Sequence, residues 1–104
     1  MKHQIFTIFD SKAHAYLVPF FLPENDMATR TFADCCNDLT HQFGKHPEDY
    51  TLFNIGSWND DKAKFLTSNP LSLGNGVEFL RAPFEEDQQQ LFTDPPVGDL
   101  KEVK

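Results

Sequence analysis

Apolar residues crowd the start of the chain: Ile5, Phe6, Ile8 and Phe9 surround a single Thr7. An almost continuous apolar run of that length is the pattern of a strand buried on both faces, so Gln4–Phe9 is expected to be a central strand. Asp10-Ser11-Lys12 supplies turn chemistry, and residues 13–22 resume in extended form, where Pro19 confines the segment to an edge or an irregular stretch. The two segments together read as a hairpin.

The period then changes. Ala28, Phe32, Cys35, Cys36, Leu39 and Phe43 recur at helical spacing and form one apolar stripe, with Arg30, Asp34, Asn37 and Asp38 on the opposite side. Pro23-Glu24-Asn25-Asp26 opens this helix, with Asn25 or Asp26 placed to accept from its first amides, and Gly44 and Pro47 mark its exit. Arg30 and Asp34 are spaced to pair across one turn. Tyr50–Trp58, with Leu52, Phe53 and Ile55, reads as the second clear strand, closed by Asn59-Asp60-Asp61. Residues 62–67 return as its hairpin partner and Asn69-Pro70 ends them. Residues 71–76, with Gly74 and Gly76, read as a loop, and the pattern leaves the type of 77–84 open. The sum is an α+β domain over residues 1–85, a small antiparallel sheet of three or four strands with one amphipathic helix across a face. Residues 86–104 read as a disordered acidic tail.

Charge sharpens that division. The 104 residues carry a net charge of −7, with a pI near 4.8. Residues 85–104 hold six acidic and two basic side chains, a net of −4, which leaves −3 on the remainder. This balance excludes affinity for nucleic acid built on bulk positive charge, as in a histone-like protein. Hydrophobic residues make up 39% of the chain, with eleven Phe, which is too apolar for a wholly disordered acidic chain. The short apolar segments at the N-terminus and at 15–22 match neither a signal peptide nor a membrane span, so a soluble protein without membrane contact is expected.

No glycine-rich phosphate loop, nucleophile elbow or carboxylate pair is readable, and no catalytic residue is expected. Cys35 and Cys36 are neighbours, too strained to bridge, and lie on or beside the apolar stripe, where cysteines act as small core residues. Cys36, His41 and His46 have spacings reminiscent of part of a zinc knuckle, but adjacent helical cysteines point about 100° apart, so neither metal nor cofactor is expected. A single-strand interface needs aromatic platforms beside cations that follow the backbone. Tyr50, Trp58, Phe20 and Phe21 are candidate platforms, and Lys45, Lys62, Lys64, Arg30 and Arg81 are candidate backbone contacts. Against this stands an ordinary alternative in which the phenylalanines are core and the cations a solvated surface. No basic stripe is visible.

Two phrases resemble a known family. Phe9-Asp10-Ser11-Lys12-Ala13 followed by Ala15-Tyr16-Leu17 and Pro19-Phe20-Phe21, and then residues 42–53 from Gln42 through Gly44-Lys45-His46-Pro47 to Phe53, resemble the small nonstructural protein of gokushoviruses, single-stranded DNA phages of the Microviridae. The resemblance runs over residues 4–84 and is most specific from Phe43 to Phe53. It implies a non-enzymatic protein of the host cytoplasm, absent from the mature virion, which binds single-stranded DNA or contacts viral replication or assembly proteins during genome synthesis and packaging. It supplies no active site. Self-association as a homodimer is a further expectation. The alternative is an adaptor that contacts host or viral proteins through a strand edge or the 15–22 segment without touching DNA. On that background the loop from Phe43 to Tyr50 is either a simple turn or a recognition loop, and the tail either solubilises the protein or occupies a cationic groove until DNA displaces it.

Overall fold

The computed structural model describes residues 1–81; the expected tail, and the part of the 77–84 piece beyond Arg81, lie outside the described residues. Strand β1 (Lys2–Asp10) is central, as its apolar run requires. It pairs antiparallel with β4 (Tyr50–Asn59) along one side over its whole length. Its other side is taken in turn by β2 (Ala15–Tyr16) and β3 (Phe20–Leu22), so the expected hairpin forms with an edge strand broken at Leu17–Pro19. Strand β5 (Lys64–Asn75) closes the sheet on the outer side of β4. The result is the antiparallel sheet and single main helix that define an α+β domain.

Helix α1 (Asn25–Cys36) lies across one face. Phe6 and Ile8 of β1, Tyr50 and Leu52 of β4, and Ala28, Phe32 and Cys36 of α1 form the core, with Phe20, Leu22, Phe43, Leu73 and Phe79 packed around it. The strands contribute alternate residues, so the partners of this set, Ile5, Thr7 and Phe9 in β1 with Thr51, Phe53 and Ile55 in β4, point to the other face.

The helix is shorter than its stripe. It ends at Cys36 because Asn37, Asp38 and Thr40 bond locally to backbone in preference to continuing the ladder. The Asn37 side chain donates to the carbonyl of Ala33 at 2.7 Å, and Asp38 Oδ1 accepts from the Thr40 amide and hydroxyl at 2.9 and 2.7 Å. Leu39, expected on the buried stripe, is 78% exposed. A separate turn, α2 (Gln42–Lys45), returns Phe43 to the core against Phe32 and Tyr50. Its close approach needs Gly44, where a Cβ would collide with the Asp38 carbonyl.

The cap of α1 also differs. Glu24 occupies the cap position without a side-chain bond, and Asn25 accepts from Asn54 Nδ2 of the sheet at 2.8 Å. The largest departure is β5, which runs straight through Asn69-Pro70 and the expected glycine loop. Asn54 pairs with Leu71 and Gly56 with Thr67, so residues 68–70 bulge opposite Ile55. Proline lacks an amide hydrogen, and on an edge strand, within a bulge, none is needed. The chain then makes a 3-10 turn over Gly76–Phe79, closed by a capping box between Asn75 and Glu78. No helix among the described residues is long and apolar enough to cross a membrane.

Candidate functional site

The sheet face opposite α1 is apolar because β1 and β4 are apolar on both sides, and the segment around Leu17–Pro19 and the Pro70 bulge border it. We call it the far face. Thr7, buried at its centre, donates its hydroxyl to the Leu17 carbonyl at 2.7 Å, and the Leu17 amide donates to Ile8 at 2.8 Å, which draws the broken edge strand inward. The result is a groove of about 240 Å³ lined by Thr7, Tyr16, Leu17, Pro19, Ile55 and Pro70.

Aromatic rings flank the groove at both ends. Tyr16 contacts Phe9 and Phe53, with ring centres 4.9 and 5.8 Å away. At the other end Phe65 contacts Trp58 at 4.7 Å and Phe21 at 6.5 Å, and these three rings with His3 line an open cleft of about 380 Å³. Cross-strand pairing produces this group: Trp58 stands opposite both His3 and Phe65, and Phe21 lies one strand beyond, opposite Ile5. Phe65 is 61% exposed, Tyr16 51% and Phe21 46%, far more than a structural ring requires.

The charges at the cleft are organised by the β4–β5 turn. Asn59 Oδ1 accepts from the amides of Asp61 and Lys62, and the turn so formed brings Asp60 and Asp61 to the terminal ammonium of Met1 at 2.7 and 3.2 Å. Asp60 also meets His3 Nε2 at 3.0 Å. Hydrogen bonding by Met1 and His3 holds the Asp60 carboxyl below its ordinary range, and the bonds to Asp60 and Asp61 push the ammonium above its own. Both carboxylates are thereby engaged, whereas Lys2, Lys62 and Lys64 are exposed and form no ion pair among the described residues. Lys62 stands on the turn that joins the two strands of the cleft, whereas Lys2 and Lys64 pair with Asn59, one position from the His3–Trp58–Phe65 row, so alternation sends their side chains toward the α1 face of the sheet.

The residues expected to bind nucleic acid divide. Trp58 and Phe21 line the cleft, with Lys62 and Lys64 on the adjoining turn and strand. Tyr50 is 4% exposed and belongs to the core, so its ring is closed to stacking. Phe20 faces α1 and stacks on Phe6 at 5.6 Å, again as a core ring. Lys45 sits on α2 at the far end of β4 from Trp58, and Arg30 is exposed on α1. Arg81 pairs with Asp34 at 2.9 Å, which replaces the expected bond between Arg30 and Asp34. The cations therefore do not converge. His3, Tyr16, Phe53 and Phe65 do not stand out in the sequence as site residues; the signal that finds them is strand register, which places them beside Trp58 or across the same face.

Cys36 and His41 have structural roles. Cys36 is buried and burial pushes its thiol up to about 11, away from nucleophilic chemistry. His41 Nδ1 accepts from the Phe43 amide at 3.0 Å and caps α2, apart from Cys36. In the loop before β4, His46, Glu48 and Asp49 bring ligand atoms within 4.8 Å of one another on the surface.

Fold and surface together define a two-layer α+β domain that presents an aromatic sheet face. The chain belongs to the phage ORF5 protein family, whose model matches residues 3–79 and so spans all but the first residue of the secondary structure described. No curated protein and no solved structure matches it.

Proposed function

We propose that this phage protein is the nonstructural protein of a gokushovirus, and that it binds single-stranded DNA on the far face of its sheet during genome synthesis or packaging in the host cytoplasm. It does so without catalysis, cofactor or membrane contact, and outside the mature virion. One observation carries the reading: exposed Phe21 and Phe65 cluster with Trp58 on the far face, with Lys62 on the adjoining turn. Sequence-tolerant stacking of bases on aromatic rings, with a cation beside them for the backbone, is how sheets hold single strands. The net charge of −7 is compatible with this because the attraction is local.

The test is a titration of labelled oligo-dT and of duplex DNA at two salt concentrations. Preferential binding of oligo-dT with a shallow salt slope is expected, about 0.7 per phosphate neutralised. No binding at low salt would remove the reading.

A second reading is supported by the groove of Tyr16, Leu17, Pro19, Ile55 and Pro70 and by the scatter of Lys45, Arg30 and Arg81. In it the far face receives a viral replication or assembly protein, or a second copy of the chain, with no DNA involved. Sedimentation of the protein alone and with oligo-dT separates the two: a dimer that DNA does not disturb favours the adaptor.

A further inference from the structure

We infer that the cleft between His3, Phe21, Trp58 and Phe65 is a subsite for one unpaired nucleobase, turned out of a single strand whose neighbouring phosphate lies against Lys62 on the adjoining turn. This rests on the single-strand reading and makes it specific. At about 380 Å³ the cleft is near the small end of ligand sites, which run from about 300 to 1,000 Å³, so it suits one flat ring and its sugar better than a longer segment. Its walls are aromatic planes set at 50° between Trp58 and Phe65 and 43° between Phe21 and Phe65, an open wedge that offers a ring face to a flat guest.

One polar side chain, His3, completes the lining. Asp60 engages its Nε2, which fixes the imidazole, and Nδ1 has no partner among the described residues. A base edge has hydrogen-bonding groups to offer that nitrogen, whereas an aliphatic or phenyl side chain has none. An apolar protein segment gives Lys62, exposed on the turn beside the cleft, nothing to pair with, but a phosphodiester next to the seated base does. Duplex DNA is excluded by shape, because its bases are stacked and paired and expose no ring face.

Trp58 is the one tryptophan of the chain and reports on the cleft directly. The experiment uses the full chain and follows Trp58 fluorescence during titration with a short oligo-dT and with an abasic oligomer carrying the same number of phosphates. Oligo-dT is expected to quench Trp58 and to bind about five- to a hundredfold more tightly than the abasic strand, the range for removal of one stacked base. Phe65→Leu, at an exposed ring, should weaken oligo-dT binding within that range at an unchanged melting temperature. Lys62→Gln should lower the salt slope by about 0.7, whereas Lys64→Gln, on the opposite face of the sheet, should leave it unchanged. The cleft assignment is overturned if the abasic strand binds equally well. It is also overturned if oligo-dT binds while Trp58 emission and the Phe65→Leu affinity stay unchanged, in which case the single-strand reading survives on another part of the protein. Absence of binding by either strand at low salt overturns both, and leaves the far face to an apolar protein partner.

Discussion

Three asparagines hold this domain together at points where elements would otherwise only touch. Asn54, buried in β4, donates to Gln4 Oε1 at 3.1 Å and Asn25 Oδ1 at 2.8 Å and accepts from the Gly56 amide at 2.9 Å. It thus ties β1, the start of α1 and the β4 bulge with one side chain. Asn37 joins the end of α1 to the Phe79 carbonyl and the Arg81 amide, and Asn75 joins β5 to the Glu48 carbonyl and Thr51. Removing the Asn54 side chain takes three hydrogen bonds from a part-buried site, at about 1–3 kcal/mol. Asn54→Ala should lower stability by that amount in urea unfolding; Asn59, in the solvent-facing turn, should cost less when replaced. Cys36 should resist thiol reagents in the native protein near neutral pH and react once urea exposes it, because only the thiolate attacks and burial disfavours that form. The ion pairs at the β4–β5 turn titrate on both sides of neutrality. Asp60, with its pKa depressed in the folded state, stabilises above its unfolded pKa and loses that contribution as pH falls through the folded one. The Met1 ammonium, with its pKa raised, stabilises below its ordinary value of 8.0 and loses the contribution as pH rises through the folded value. Melting temperatures of Asp60→Asn against the parent protein across pH should therefore converge at both extremes.

At the scale of elements, periodicity locates what is periodic. β1, β4 and the first three turns of α1 are legible because their apolar residues repeat at the spacing of the structure. Where side chains bond to backbone, periodicity misleads: the stripe runs on to Phe43 while Asn37 and Asp38 stop the helix. β5 is hidden for a related reason, since Pro70 and Gly74 look like breakers but sit at edge and bulge positions that tolerate them. The site follows the same rule. Trp58, Phe21, Lys62 and Lys64 stand out in the sequence, but Tyr50 and Phe20 look the same there as Trp58 and Phe21, because the sheet face they occupy depends on register. The bulge that sets the register depends on Gly56, whose φ of +144° is closed to other residues and whose Cβ would meet the Leu66 carbonyl. Gly56→Ala should destabilise by more than about 1 kcal/mol, measured by urea unfolding, and should disturb Trp58 and Phe65 before it disturbs α1.

For the whole molecule, an acidic protein that acts on DNA needs its attraction to be local. Lys62 stands at the end of the sheet where Asp60 and Asp61 are already engaged, whereas Asp10, Glu48 and Asp49 lie at the other end. A strand laid along the far face would accordingly be held by a phosphate at the Trp58 end and by apolar contact toward Tyr16. Residues 85–104 add a net −4, so a chain ending at residue 84 should bind oligo-dT more tightly at low salt, with the difference fading as salt rises. The most direct measurement is a residue-resolved map of amide chemical shifts as oligo-dT is added to the full chain. The far face should respond first, at His3, Phe21, Trp58 and Phe65, then toward Tyr16 and Phe53, with the outer surface of α1 around Arg30 unmoved. Shifts centred on α1 or on the loop from Lys45 to Asp49, with the far face silent, would contradict the account.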